Sequence, residues 1–176
     1  MDLDLNRYGL MNEPHDMSTA LVLENDQAAI DSIRQAGGCQ LIAAPGNSYT
    51  GGHSWLQSSQ SDEPSADYMY KLRDPLNNTA LDVHEYLDYN FSGGNVECVN
   101  TFESTMGPLT NWLRENGLKA IVSEFGGSNT TVCADMLKGA VDYVAENDEY
   151  IGLAAWASGP KVSGPWPITY RYHSVR

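Results

Sequence analysis

Five short apolar runs alternate along the chain with longer amphipathic stretches, and this alternation constrains the fold more than any other feature. Strands separated by helix-length segments do not pair as hairpins; they return to one sheet through crossovers and build a parallel α/β architecture. The strand candidates are Tyr8–Met11, Leu41–Ala44, Leu81–His84, Ala120–Ser123 and Ile151–Trp156. Helices are expected between them. Asp26–Ala36 carries Ala29, Ile30 and Ile33 at helical spacing and stops at Gly37-Gly38. Thr105–Asn116 sets Leu109, Trp112 and Leu113 on one face before Gly117, so Trp112 reads as core. Thr131–Glu146 repeats Met136, Leu137, Ala140, Val141 and Val144 at intervals of three and four.

At 176 residues the chain can bury one sizeable core, but it is too short for a complete (β/α)8 barrel of roughly 250 residues. No repeat or low-complexity linker divides it, so residues 1–176 read as a single unit, with an irregular tail over 159–176 that contains Pro160, Pro165 and Pro167. Ten Lys and Arg against 23 Asp and Glu give a net charge of −13 and a pI near 4.4, which argues against nucleic acid as a partner. No apolar run approaches the roughly 18 residues of a membrane span, and Met1–Arg7 lacks the basic start and apolar middle of a signal peptide.

Cys39, Cys98 and Cys133 show no metal-ligand spacing, so no metal is expected. One disulfide with one free thiol is the simplest accounting, and three buried reduced thiols are the alternative. Glycosylation triplets begin at Asn77, Asn90 and Asn129.

The ends of the strands carry the chemistry. Asn12-Glu13-Pro14-His15-Asp16, Pro45-Gly46-Asn47-Ser48-Tyr49, His84-Glu85-Tyr86 and Glu124-Phe125-Gly126-Gly127 each follow an apolar run. In parallel α/β folds such strand ends face one mouth, where catalytic groups gather. Glu13 and Glu124 stand out as two carboxylates at that mouth. A lone Glu at a strand end is more simply a helix N-terminal charge, but a pair roughly 5 to 5.5 Å apart supports retaining glycoside hydrolysis. Pro14 is expected to hold Glu13 in an extended conformation at the strand tip. Asn12 could bond a sugar 2-hydroxyl, and His84 and Tyr86 could orient substrate or donate to a carboxylate. Trp156 offers a flat apolar face to a pyranose ring and Trp55 could extend that platform; for Trp156 and His84 a purely structural role weighs about equally.

Several motifs then occur in order: Tyr8-Gly-Leu-Met-Asn-Glu-Pro-His-Asp16, Pro45-Gly-Asn47, Asp82-Val-His-Glu-Tyr-Leu-Asp88, Trp112-Leu-Arg-Glu-Asn116, Ser123-Glu-Phe-Gly-Gly127 and Ala155-Trp-Ala157. Over about residues 8–158 the chain resembles the C-terminal half of a fungal family-5 glycoside hydrolase, an endo-β-1,4-glucanase or cellulase. The resemblance implies a (β/α)8 TIM barrel of which this chain supplies about strands 4 to 8. It also implies a secreted retaining enzyme that acts on β-glucan polysaccharide without metal or organic cofactor. By the same resemblance Glu13 is the acid/base, Glu124 the nucleophile, and Asn12, His84, Tyr86 and Trp156 the surrounding site. Cys98 and Cys133 fall where similar enzymes carry a disulfide. The family's first three strands, with a site arginine and a histidine, have no counterpart here, so the chain reads as a truncated product or incomplete gene model of an extracellular parent. Two other readings stay open: an inactive fragment with residual carbohydrate binding, and a mannan- or laminarin-type hydrolase whose preference is set by the loop over residues 46–66. Oligomeric state is left open.

Overall fold

A computed structural model describes residues 7–58 and 63–157. Its elements are β1 (Arg7–Gly9), α1 (Thr19–Gln35), β2 (Leu41–Pro45), β3 (Thr79–Tyr86), α2 (Phe102–Asn116), β4 (Ala120–Gly126), α3 (Thr131–Glu146) and β5 (Tyr150–Ala155). The strands lie side by side in chain order, each parallel to the next. Every expected strand is present. This is an open arc of a (β/α)8 barrel, with β1 and β5 as its two edges among the described residues. The tail expected over 159–176 lies outside the described residues.

Two helices begin earlier than their apolar spacing predicts. Helix α1 starts at Thr19, where the Ser18 hydroxyl accepts from the Leu21 N–H at 3.2 Å. Its buried face is Thr19, Val22, Asp26 and Ile30, and the two polar members hide the stripe from a search for apolar periodicity. Helix α2 starts at Phe102 behind a Thr101–Ser104 capping box in which Ser takes the position usually held by Glu or Gln. Between β2 and β3 the crossover is built from short 3-10 turns at Ser48–Thr50, Ser65–Asp67 and Met69–Lys71.

The main core lies between the sheet and its helices. Leu81, Val83, Leu87, Ala120 and Val122 of the strands meet Met106, Leu109 and Leu113 of α2 and Leu137, Ala140 and Val144 of α3. Trp112 is partly buried against this core, in line with the apolar stripe. On β3 the two-residue period then turns Ala80, Asp82, His84 and Tyr86 to the opposite, barrel-interior face.

Cys98 and Cys133, 35 positions apart in sequence, are bonded with Cα atoms 5.1 Å apart, and Cys39 is an exposed free thiol. Closing that loop contributes roughly 4 kcal/mol in the chain-entropy model. It ties the β3–α2 loop to the start of α3.

Candidate active site

Glu13, His84 and Glu124 meet at the C-terminal ends of β1, β3 and β4. The Glu13 carboxylate accepts from His84 Nδ1 at 2.8 Å, and Glu124 Oε2 lies 3.5 Å from the same nitrogen. His84 is 5% exposed, so its ring has no water shell with which to exchange these partners. Tyr86 completes the group by donating its hydroxyl to Glu124 Oε2 at 2.8 Å. Burial first, then the hydrogen bond and charge of Glu124, push the Tyr86 phenol far above its ordinary value, which keeps it a donor.

A β-bulge aims Glu124. Val83 pairs with Val122, but the next residue, His84, pairs with Glu124, so Ser123 is the extra residue. Strict alternation from the core residues Ala120 and Val122 would send Glu124 toward the helices; one inserted residue reverses the sense and delivers it to the mouth. Phe125 then points back into the core, with its ring 6.1 Å from Phe102. No local sequence signal marks this bulge, whose only trace is the length of the Ala120–Gly126 run.

Glu13 does not adopt the extended backbone expected from Pro14. Its φ is +47°, in the left-handed region where a non-glycine residue is strained. Tertiary contacts override the local preference: Leu10 N–H bonds the Ala43 carbonyl at 3.1 Å, Tyr49 N–H bonds the Pro14 carbonyl at 3.0 Å, and His84 holds the carboxylate. Ser48, Tyr49 and Thr50 all have positive φ as well, and the exposed Tyr49 ring stacks on His15 at 4.4 Å.

The remaining expected residues divide. Asn12 is exposed beside Glu13, and Trp156 is 57% exposed at the end of β5 with its backbone N–H bonded to the Phe125 carbonyl at 2.9 Å. Trp55 is not part of any platform: it is 1% exposed, its ring centroid 6.1 Å from that of Trp112, and its rim packs against Gly46, where a Cβ would lie 2.7 Å away. The chain packs tightly just before Trp55, where the Gly52 N–H bonds the His84 carbonyl at 3.0 Å and a Cβ on Gly52 would lie 2.1 Å from Met106 Sδ.

Two polar clusters beside the mouth escaped the sequence reading. Glu85, 1% exposed, accepts from the backbone N–H of His53 at 3.0 Å and sits 3.0 Å from its Nδ1, and the His53 ring stacks on Phe91 at 3.7 Å. Asp88, 2% exposed, accepts from Gly93 N–H, Asn95 N–H, the Asn95 amide and the Ser92 hydroxyl. Burial pushes the Asp88 carboxyl up, and these hydrogen bonds outweigh it and leave it below the usual range. The sequence signal for the second cluster was Asp88 followed by Ser92-Gly93-Gly94-Asn95, a dense turn composition.

Glu13, His84 and Glu124 are also the set among the described residues that could hold a cation, with one donor atom each within 4.8 Å of the others. In this structure those atoms serve one another. Two carboxylates this close, one bonded to a histidine and the other to a tyrosine, can share acid–base and nucleophilic work.

The profile of the cellulase family, glycosyl hydrolase family 5, matches residues 6–162. Endoglucanase 1 of Robillarda sp. is 59% identical over 153 residues, which cover 87% of this chain and 39% of that protein. Endo-beta-1,4-glucanase A of Emericella nidulans is 42% identical over 156 residues, covering 85% of this chain and 45% of that protein. Among solved structures, the endo-beta-1,4-glucanase Xac0029 of Xanthomonas axonopodis pv. citri superposes with a TM-score of 0.86 at 38% identity, over 92% of this chain and 52% of that one. XacCel5A in complex with cellopentaose gives a TM-score of 0.85 at 36% identity, over 91% of this chain and 52% of that one. The chain therefore spans about half or less of the length of these relatives, and within that span it belongs to glycosyl hydrolase family 5, the cellulase family.

Proposed function

We propose that the chain carries the catalytic carboxylates of a retaining endo-β-1,4-glucanase. The observation that carries the proposal is the pairing of Glu13 and Glu124: one oxygen of each lies within 4.8 Å, with His84 between them. Oxygens this close accord with the close carboxylates of a retaining pair, roughly 5 to 5.5 Å apart.

In the proposed reaction Glu124 attacks the anomeric carbon while Glu13 gives its proton to the departing glycosidic oxygen, and a glucosyl ester forms on Glu124. Glu13 then takes a proton from water, which attacks the same carbon and releases the sugar with retained configuration. Tyr86, donating to Glu124 Oε2, orients the attacking carboxylate, and His84 Nδ1 holds Glu13 toward the leaving oxygen. Asn12 is assigned to the sugar 2-hydroxyl and Trp156 to the apolar face of the ring. The substrate class, a β-1,4-glucan, is taken from the names of the relatives and the cellopentaose bound to XacCel5A. Secretion of the parent protein is proposed on the same relatives and on the Cys98–Cys133 bond, which persists in oxidising compartments.

The test is reducing-sugar release from a soluble β-1,4-glucan by the 176-residue chain at mildly acidic pH, with Glu13→Gln and Glu124→Gln as controls. Activity lost in both variants, with the β-anomer appearing first by NMR, is the expected result. A folded chain that binds cello-oligosaccharides without cleaving them would replace this reading with a carbohydrate-binding one.

A further inference from the structure

Tyr86 is held from outside the catalytic group. Its ring edge, Cδ1 and Cε1, faces two glycines: a Cβ on Gly93 would lie 2.7 Å from Cδ1, and one on Gly126 would lie 3.2 Å from Cε1. Only bare backbone fits beside the ring at these two points, so a shift of either glycine would meet it. Gly126 belongs to β4, whose place is fixed by the sheet. Gly93 belongs to the β3–α2 loop and must be fixed by something else. It has a φ of +70°, a conformation open to glycine, and its N–H points at Asp88 Oδ1 at 3.0 Å.

Asp88 organises that whole loop. Its Oδ2 accepts from Asn95 N–H at 3.1 Å, the Asn95 amide at 2.8 Å and the Ser92 hydroxyl at 3.2 Å, while its backbone carbonyl accepts from Phe91 N–H at 3.2 Å and the Asn100 amide at 2.7 Å. At the tip Phe91, with a φ of +60°, lies on the His53 ring that Glu85 holds, and at the far end the Cys98–Cys133 bond closes the loop. A buried carboxylate that satisfies this many loop donors replaces the core such a loop lacks.

We infer that Asp88 is a positioning residue for the reaction: it sets Gly93 against the Tyr86 ring and so fixes the hydroxyl that orients Glu124. This rests on the reading of Glu124 as nucleophile, and deepens it by naming the group that holds its tyrosine partner. Asp88→Asn preserves shape but turns one acceptor oxygen into a donor that faces N–H groups, so the loop loses its centre. Gly93→Ala keeps the Asp88 carboxylate but sets a methyl against the ring and strains the backbone that Asp88 holds, so it perturbs the same contact from its other end.

The test uses the full chain labelled on tyrosine, with Tyr86 assigned through Tyr86→Phe. In the parent chain the two sides of the Tyr86 ring should give separate NMR signals in slow exchange; in Asp88→Asn they should merge into one averaged set. In kinetics Asp88→Asn should lower kcat about tenfold or more with KM within about twofold, and Gly93→Ala should do the same. In the Tyr86→Phe background the further loss from Asp88→Asn should shrink to within about twofold. A Tyr86 ring that already averages in the parent chain, or stays in slow exchange in Asp88→Asn, overturns the inference, as does a loss that multiplies fully in the Tyr86→Phe background. The ring signals report on positioning even in a chain that hydrolyses nothing, so failure of the catalytic assignment and failure of this inference are read separately. Should Asp88→Asn not fold, Gly93→Ala decides: unchanged kcat and an unchanged ring signal there overturn the inference.

Discussion

Asp26 should make this protein more stable in mild acid than at neutrality, and replacing it with Asn should remove much of that difference. The residue lies on the buried face of α1, 3% exposed, and its Oδ2 meets no hydrogen-bond partner among the described residues. Burial first, and the charge of Asp82 second, push its carboxyl up from 3.8 to about 8. In the unfolded chain the same group titrates near 3.9. Between about pH 4 and about pH 8 the folded chain therefore holds a proton that the unfolded chain has released. The native state binds more protons, so stability falls as pH rises, by up to about 1.4 kcal/mol per pH unit. From about pH 4.5 to about pH 7.5 that is about 4 kcal/mol. Asn has the same shape and no charge, and any cost of its amide is equal at both pH values and cancels. The stability advantage of Asp26→Asn over the parent should thus grow by about 4 kcal/mol across the window. In urea unfolding, with a slope of roughly 2 kcal/mol/M, the parent midpoint should fall by about 2 M relative to the variant. Asp82, also raised by burial, contributes a fall of the same sign to both proteins, while its coupling to Asp26 is part of the difference that the variant removes. Midpoints of parent and variant that run parallel with pH would refute the reasoning.

Arg34→Met should cost about 3–5 kcal/mol and lower the melting temperature by roughly 10 °C, because it leaves Asp74 ionised and 4% exposed without the two 2.8 Å bonds from Nε and an Nη of Arg34. Those bonds hold the Asp74 carboxyl far below its ordinary range, so their contribution is complete above about pH 4 and is lost as pH falls below it; Asp74→Asn should show no such acid limb in calorimetry. Trp55→Ala should cost about 3–5 kcal/mol in urea unfolding with cello-oligosaccharide affinity unchanged, whereas Trp156→Ala should weaken binding by titration calorimetry and change stability by no more than about 0.5 kcal/mol. The reverse pattern would return Trp55 to the sugar platform.

The central strands β2, β3 and β4 were legible because each is an apolar run that the sheet buries, and α3 was read to its ends because its apolar stripe is unbroken from Cys133 to Val144. Helix α1 was read short because Thr19 and Asp26 stand where the stripe should be apolar. The two glutamates were found through their motifs, but the means of aiming them was not. Glu124 depends on one extra residue in β4, and Glu13 on a positive φ that the following proline argues against. Trp55 misled because a tryptophan in a loop after a strand looks the same whether the loop passes over the mouth or folds beneath it. What separates the two is the pair Gly51-Gly52 and the space left by Gly46, which only packing reveals.

The arrangement explains how half of a barrel can still assemble its carboxylates. Glu13, His84 and Glu124 come from β1, β3 and β4, and the contacts that orient them run through β2, β3 and the loops between. Glu124 sits on a strand paired on both sides, braced by Tyr86 and, through Gly126 and Gly93, by the loop that Asp88 organises. Glu13 follows β1, an exposed edge strand of three residues paired only with β2 among the described residues. Its position is held by three bonds to the neighbouring elements: Leu10 to Ala43, Tyr49 to Pro14, and His84 to the carboxylate itself. Glu124 is therefore set by the sheet and Glu13 by its bonds to neighbouring loops. Closing the barrel would cover the β1 edge and steady Glu13 far more than Glu124, because Glu124 already stands on a strand paired on both sides.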